Sequence, residues 1–331
     1  MNIFNTSFEI KNIKLNNRLV MPPMATSKSS TDGKATQELF DYYDEKSKGG
    51  YIGLIITEHA YVTLEGKAST GQLSISDDSD IELLKKLVSV IHQNGSKVIA
   101  QINHAGAKTK KEITGSVPKG PSINKVIGTD YYSKEMTIED IKNVIEYFKK
   151  AALRVKEAGF DGVEIHSAHG YLLNQFFSPL TNKRKDEYNG NSINGRIKLH
   201  LEIIKAVREA VGNDFIVALR LGACDYIQGG TTIEDSITAV KEFQKAGIDF
   251  VDISGGICGY INPYNDEQGY FREITKAIKE NINIPVILTG GITDAFAAEE
   301  ILKNKEADLI GVGRAILKDS KWAENAVKVL R

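Results

Sequence analysis

"VKEAGFDGVEIH", residues 155–166, runs from the end of an amphipathic helix through a Gly stop into a short apolar strand. The same arrangement recurs in "IHQNGSKVIAQI" (91–102), "FQKAGIDFVDIS" (243–254) and "LKNKEADLIGVG" (302–313), so the chain repeats a helix-to-strand unit. In three of the four, Gly95, Gly159 and Gly247 sit just past the helix. A left-handed C-cap is needed there, and Gly adopts it without strain.

Along the whole chain eight apolar strands are expected: Arg18 to Met21, Gly53 to Thr57, Lys97 to Ile102, Gly162 to Ile165, Ile216 to Leu221, Phe250 to Ile253, Pro285 to Leu288, and Leu309 to Val312. Helical stretches such as "DIELLKKLVSVIHQ", "RIKLHLEIIKAVREAV" and "TTIEDSITAVKEFQKA" separate them. Strands that are apolar throughout, alternating with helices, imply a parallel sheet covered by helices. Eight such units predict closure into a (β/α)8 TIM barrel, with an open doubly wound sheet as the alternative. No linker or composition shift divides the chain, so residues 1–331 read as a single domain. Two long irregular connections, Ala105 to Met136 and Tyr171 to Ile193, follow strands and so fall on the catalytic face of a barrel.

Composition excludes several functions. Lys+Arg is 42 against Asp+Glu 43, which leaves no basic field for nucleic acid or an anionic membrane. Cys224 and Cys258 are the only cysteines, too few for a disulfide framework, a Cys-rich zinc site or a four-Cys iron–sulfur cluster. The opening "MNIFNTSFEIKNIKL" lacks the pattern of a signal peptide, and no run of about 18 apolar residues occurs. The expectation is a soluble cytoplasmic protein.

Chemically capable residues gather where strands end. His59, His104, His166 and His169 follow predicted strands, whereas His92 and His200 fall in helices. Singly, each reads as well as a hydrogen-bonded structural His; their clustering favours a site. Arg220 ends the fifth strand and Arg314 follows the eighth, where a fixed, always-charged fork suits an anion. Arg154 and Arg208 read as solvated helix residues. Gly290 and Gly291 in "TGGI", and Gly313 in "GVGRA", fall where barrels build phosphate sites from the last two strand loops. Alone these are tight turns; with Arg314 they favour a phosphate-bearing ligand. A metal reading of "HSAHG" fails, because His166 ends a strand, Gly170 interrupts a helix start, and no HExxH pattern or acidic third ligand accompanies it.

"NRLVMPPMAT", "AQINHAG", "VEIHSAHGYLLNQFFSPLTNKRKDEY", Arg220, "TGGI" and "GVGRA" together, in order along essentially the whole chain, resemble the Old Yellow Enzyme family of NAD(P)H-dependent flavin oxidoreductases. The strand-four segment is the specific one; the Gly clusters are shared by many phosphate-binding barrels. The resemblance implies non-covalent FMN across the open face, with NADH or NADPH as reductant. By it, Pro22, Pro23, Met24 and Ala25 lie against the flavin ring, and Gln101 bonds its pyrimidine edge. Arg220 stabilises charge near N1 and O2, Gly290, Gly291, Gly313 and Arg314 cradle the phosphate, and His59 lies beside the ring. His166 and His169 then hold the oxygen of an activated alkene, an enone, enoate or nitro compound, while Tyr171 protonates the carbon left after hydride transfer from flavin N5. Without the family, Tyr171 would read as a packed aromatic.

Three departures qualify the match. Ala25 stands where relatives commonly have Thr or Cys able to bond the flavin O4 edge. "DEYNGNSINGR" is one residue longer than the usual turn, at Asn189. The chain, ending at Arg331, is expected to lack the second half of dienoyl-CoA-reductase-like relatives, their iron–sulfur cluster, and the C-terminal arginine finger that some relatives lend a neighbour, which leaves oligomeric state open. Competing readings are an amine or other dehydrogenase on the same FMN barrel, a flavin-free phosphate-binding lyase or isomerase barrel, and a non-catalytic flavin-binding protein. Substrate specificity is assigned to the Ala105 to Met136 loop.

Overall fold

The computed structural model describes residues 2–331. Eight parallel strands close a barrel in sequence order: β1 Leu19–Met21, β2 Leu54–Tyr61, β3 Lys97–Asn103, β4 Gly162–Ser167, β5 Ile216–Gly222, β6 Phe250–Ser254, β7 Val286–Thr289 and β8 Leu309–Gly311. All eight expected strands are present, and the open-sheet alternative is excluded by closure. Gly53, Arg18, Pro285 and Val312 lie just outside their strands, whereas β2 extends four residues beyond Thr57, to Tyr61.

Continuous apolar strands arise because each has two buried faces. On β5, Ile216 and Ala218 point inward while Val217, Leu219 and Leu221 meet the helices. The inner set joins Val20, Leu54, Ile56, Ile99, Phe250, Ile287 and Leu309, and it is completed by Ile10, Ile13 and Leu15. Those last three belong to an antiparallel hairpin, Phe8–Ile10 with Ile13–Leu15, so the N-terminal hairpin plugs the barrel floor. Full burial of each such side chain contributes roughly 1.5–3 kcal/mol relative to exposure. Above this apolar layer the inward positions turn polar: Gln101, Glu164, Arg220, Asp252 and Thr289.

Local signals explain the helix limits. Helices Ile138–Glu157 and Ile233–Ala246 open with capping boxes, Thr137 with Asp140 and Thr232 with Asp235, which satisfy orphan N–H groups at both ends of the motif. Gly95, Gly159 and Gly247 hold φ of 93°, 86° and 110°, as the repeat required. The fourth copy has Lys305 there, at φ 58°, a conformation that strains an L residue.

Three readings need correction. Tyr171 to Ile193 is not wholly irregular, because Leu172–Phe177 forms a helix whose six side chains are all buried. "LLNQFF" spans under two turns and buries its polar Asn174 and Gln175 with its apolar residues, so no helical period marked it. Arg208 is not solvated: it bonds the carbonyls of Gly247 and Phe215 and pairs with Asp249 at 2.6 Å. Arg154 likewise reaches back to Asp78 at 2.7 Å and to the Ile75 carbonyl. The Ala105 to Met136 loop carries a one-turn helix, Lys111–Thr114, and a two-stranded parallel ladder, Lys119–Gly120 with Lys134–Glu135.

β2 also carries an irregularity the sequence did not announce. Thr57 pairs with Ala100 but Ala60 pairs with Ile102, so one extra residue is accommodated as a β-bulge. Leu54 and Ile56 face the barrel interior, and regular alternation would turn Glu58 inward next. Instead the Glu58 carboxylate accepts from Thr26 Oγ1, and its N–H donates to the Tyr43 hydroxyl at 2.8 Å. His59 takes the inward place.

Candidate active site

At the C-terminal end of the strands lies a cavity of about 460 Å3, within the roughly 300–1,000 Å3 typical of small-molecule sites. Pro22, Pro23, Met24, Ala25, His59, Gln101, His166, His169, Tyr171, Arg220, Gly290, Gly291, Gly313 and Arg314 all line it. These fourteen residues, all selected from the sequence, are therefore in one place. His104 is not: it is buried outside the cavity, with Nδ1 accepting from the Gly106 N–H at 3.0 Å. Lys108, Ser254, Tyr260, Tyr270 and Thr289 join the lining without having been selected.

Four rings cluster at one end. The His166 ring centroid lies 5.2 Å from both His169 and Tyr171, and His59 lies 5.2 Å from Tyr171. His166 projects from β4, while the chain beyond turns sharply through His169 (φ 58°) and Gly170 (φ 73°) before the helix begins at Leu172. A non-Gly residue held left-handed stores strain that the surroundings must impose. Here Ser254 Oγ lies 2.7 Å from His169 Nε2 and the Gly255 carbonyl accepts from its N–H. The Lys108 ammonium donates to the His169 carbonyl.

Burial keeps these imidazoles neutral. It pushes His166 and His169 well below the usual histidine range, reinforced by neighbouring cations, and takes His59 down to about 4. Burial also raises Tyr171, so its hydroxyl keeps its proton at neutral pH. His166 Nδ1 is buried and has no partner within the protein. The cluster thus offers neutral N–H and O–H donors to an oxygen or a carbanion without a competing negative charge. Among the described residues no group of three or more His, Cys, Asp or Glu is arranged to hold a metal ion.

Beneath them lies a buried charged layer. Gln101 Nε2 donates to Glu164 Oε1 at 2.8 Å, and Asp252 Oδ1 accepts from Thr289 Oγ1 at 2.7 Å. Arg220 Nε approaches Asp252 Oδ2 at 3.2 Å. Burial, followed by the Asp252 carboxylate, raises Glu164. One Arg cannot neutralise two buried carboxylates, and burial raises Asp252 as well as Glu164.

The opposite end is built for an anion. Among the described residues, the backbone N–H groups of Gly291, Ile292, Gly313 and Arg314 meet no backbone acceptor. The glycines also have a packing reason: a Cβ on Gly291 (φ 69°) would lie 2.4 Å from the Tyr270 ring, and one on Gly313 would lie 2.7 Å from Met24 Sδ. Tyr270 is the member of this end that the sequence hid. Its hydroxyl accepts from Arg314 at 3.1 Å and donates to the Tyr260 carbonyl at 2.6 Å, so the guanidinium is held in place from behind. Unpartnered N–H groups, a steered cation and neutral donors facing them fit a phosphorylated flavin.

Two departures are also placed. Ala25 lines the cavity, and the adjacent Thr26 cannot supply the missing hydroxyl because it is spent on Glu58. Asn189 is absorbed into its turn, its Oδ1 accepting from the Asn191 and Ser192 N–H groups.

Comparison with known proteins gives consistent similarities. Residues 3–331 match the profile of the NADH:flavin oxidoreductase / NADH oxidase family. The chain is 39% identical over 331 residues to an NADH oxidase of Thermoanaerobacter brockii, covering 98% of this chain and 50% of that protein, so it spans half the length of that relative. It is 39% identical over 322 residues to an NADPH dehydrogenase of Halalkalibacterium halodurans, covering 97% of this chain and 93% of that one. Among solved structures, 2-naphthoyl-CoA reductase superposes with a TM-score of 0.92 at 26% identity, over 99% of this chain and 52% of the other. No helix among the described residues is long and apolar enough to cross a membrane.

Proposed function

Because the chain belongs to the NADH:flavin oxidoreductase / NADH oxidase family, the Old Yellow Enzyme family, we propose that it is an FMN-dependent NAD(P)H oxidoreductase that reduces activated C=C bonds. The observation that carries this reading is the convergence of His166, His169 and Tyr171 at one end of a cavity whose other end offers unpartnered backbone N–H groups and Arg314. When bound, FMN supplies the redox step, taking a hydride from NADH or NADPH and passing it to the alkene β-carbon.

The chain's own residues do the rest. Gly290, Gly291, Gly313 and Arg314 hold the phosphate. Pro22 to Ala25 and His59 lie against the ring, and Gln101, with one N–H committed to Glu164, bonds the pyrimidine edge. Arg220 balances negative charge at that edge. His166 and His169 donate to the carbonyl or nitro oxygen as it gains charge, a contribution on the order of 3 kcal/mol per well-placed donor. Tyr171 gives its proton to the α-carbon. The whole of 1–331 serves as one FMN-binding barrel domain in this reading.

The test is direct. Purified protein should be yellow, bleach anaerobically with NADH or NADPH, and regain colour on addition of an enone. Protein that is colourless and refuses added FMN defeats the proposal; bleaching without reoxidation by any activated alkene would favour a dehydrogenase of another donor.

A further inference from the structure

Three cations, Lys108, Arg220 and Arg314, line the cavity, and no carboxylate does. Two of them have an occupation. Arg220 is opposed from below by Asp252 at 3.2 Å, and Arg314 is steered by Tyr270 toward the glycine end. Lys108 sits at the other end, among the proton-donating groups: its Nζ lies 4.8 Å from the Tyr171 ring centroid and bonds the His169 carbonyl.

This placement is fixed by the backbone. Lys108 closes the turn Gly106–Lys108, whose Ala107 N–H donates to Gln175 Oε1 at 3.0 Å. A Cβ on Gly106 (φ 60°) would lie 2.5 Å from that same Gln175 oxygen, so the turn is pressed against the helix that follows Tyr171. The side chain, still open to solvent, then runs along the cavity wall. A cation held at a cavity wall with no counter-ion is a recognition element whose partner comes with the ligand.

We propose that the alkene substrate carries a carboxylate besides the carbonyl held by His166 and His169, and that Lys108 pairs with that carboxylate. This rests on the ene-reductase reading above. Because the ammonium lies against Tyr171, the anion belongs within a bond or two of the carbon that takes the proton. The class is a conjugated enone or enal with a carboxylate on the alkene. The reaction balances without Lys108 changing state: hydride adds to one alkene carbon, a proton to the other, NAD(P)H becomes NAD(P)+, and the carboxylate is unaltered. Partial burial lowers the Lys108 pKa, and an arriving carboxylate would reverse that.

The test compares trans-4-oxopent-2-enoate with its methyl ester on FMN-loaded wild type, Lys108→Gln and Lys108→Arg. Lys108→Gln is expected to raise KM for the acid by about tenfold or more beyond any change it makes for the ester, and Lys108→Arg to restore most of that difference. Equal losses for acid and ester would overturn the proposal, since they would mean that Lys108 acts on Tyr171 or on the loop. A loss confined to flavin reduction by NADH or NADPH would also overturn it, assigning the cation to dinucleotide phosphate. Binding of the saturated 4-oxopentanoate and its methyl ester to oxidised enzyme, read from the flavin absorbance, separates the two readings. Lys108-dependent preference for the acid without turnover would sink ene-reduction but keep the anion site. Wild type binding both equally would sink the anion site alone.

Discussion

Gln72 fixes the tautomer of His59: its Nε2 lies 2.9 Å from His59 Nδ1, while its own Oε1 accepts from the Ala68 N–H at 2.6 Å. With the amide orientation set by Ala68, only the –NH2 can face the imidazole, and Asn103 Nδ2 adds a second donor at 3.0 Å. Nδ1 therefore accepts, and the proton resides on Nε2. Nitrogen-15 NMR of the histidines should report His59 as the Nε2–H form from pH 5 to 8, consistent with a pKa near 4. In Gln72→Glu the carboxylate should draw the proton to Nδ1. An Nδ1–H signal in the wild type would contradict this arrangement.

Tyr270 should matter to the phosphate and not to the ring. Its hydroxyl anchors Arg314 at 3.1 Å. Tyr270→Phe removes one hydrogen bond to a charged group, worth roughly 1.5 kcal/mol, so FMN affinity should fall about tenfold while riboflavin affinity stays unchanged. A parallel fall for both flavins would make Tyr270 a packing residue only.

Tyr171→Phe should separate the two half-reactions. Reduction by NADH or NADPH should proceed as in wild type, because the hydroxyl has no part in it, whereas reoxidation by an enone should slow by about 10²–10⁴-fold. Unchanged reoxidation would leave the α-carbon to another acid, with His166 and His169 still in place.

His200 gives a pH prediction free of the site. It is fully buried, stacks on Phe243 at 5.3 Å, approaches Ser167 Oγ at 2.8 Å, and burial takes its pKa down to about 3. An unfolded His titrates near 6.5, so below that pH the unfolded state binds a proton that the folded state refuses. Its contribution is thus lost as pH falls from about 6.5 toward 3. Between pH 7 and pH 5, wild type should lose on the order of 2 kcal/mol more stability than His200→Phe, measured by urea unfolding. Parallel pH profiles would refute a depressed His200.

Lys305 is the odd member of the four-fold repeat, at φ 58° where its counterparts are Gly. Lys305→Gly should raise stability by about 0.5–1 kcal/mol, the relief of left-handed strain less the added freedom of the unfolded chain. A lower Tm would show that Lys305 earns its place through contacts.

Eight strands were legible because a helix stop and an apolar run are local signals, and the parallel barrel follows from counting them. The site was legible for a related reason: strand ends are its address, and His166, Arg220 and Gln101 occupy them. What remained hidden depends on tertiary placement. Tyr270 lies outside any strand and reaches Arg314 across a loop, Arg208 and Arg154 fold back on carbonyls and carboxylates that no spacing reveals, and Leu172–Phe177 is buried all round, its Asn174 and Gln175 included. Lys108 stood within the loop assigned to specificity, but its inward aim comes from the turn that Gln175 braces.

The bulge in β2 has a consequence for how this pocket can diversify. One extra residue between Thr57 and Ala60 decides whether position 58 or 59 faces the interior. Dropping His59 would do more than trim an edge: with alternation restored, the Glu58 carboxyl group would take the imidazole's place beside Tyr171 and the three cations. Changes of length in this stretch therefore act as changes of functional group. Among descendants of this chain, a one-codon deletion could invert the charge preference of the cavity while every side chain that remains keeps its identity.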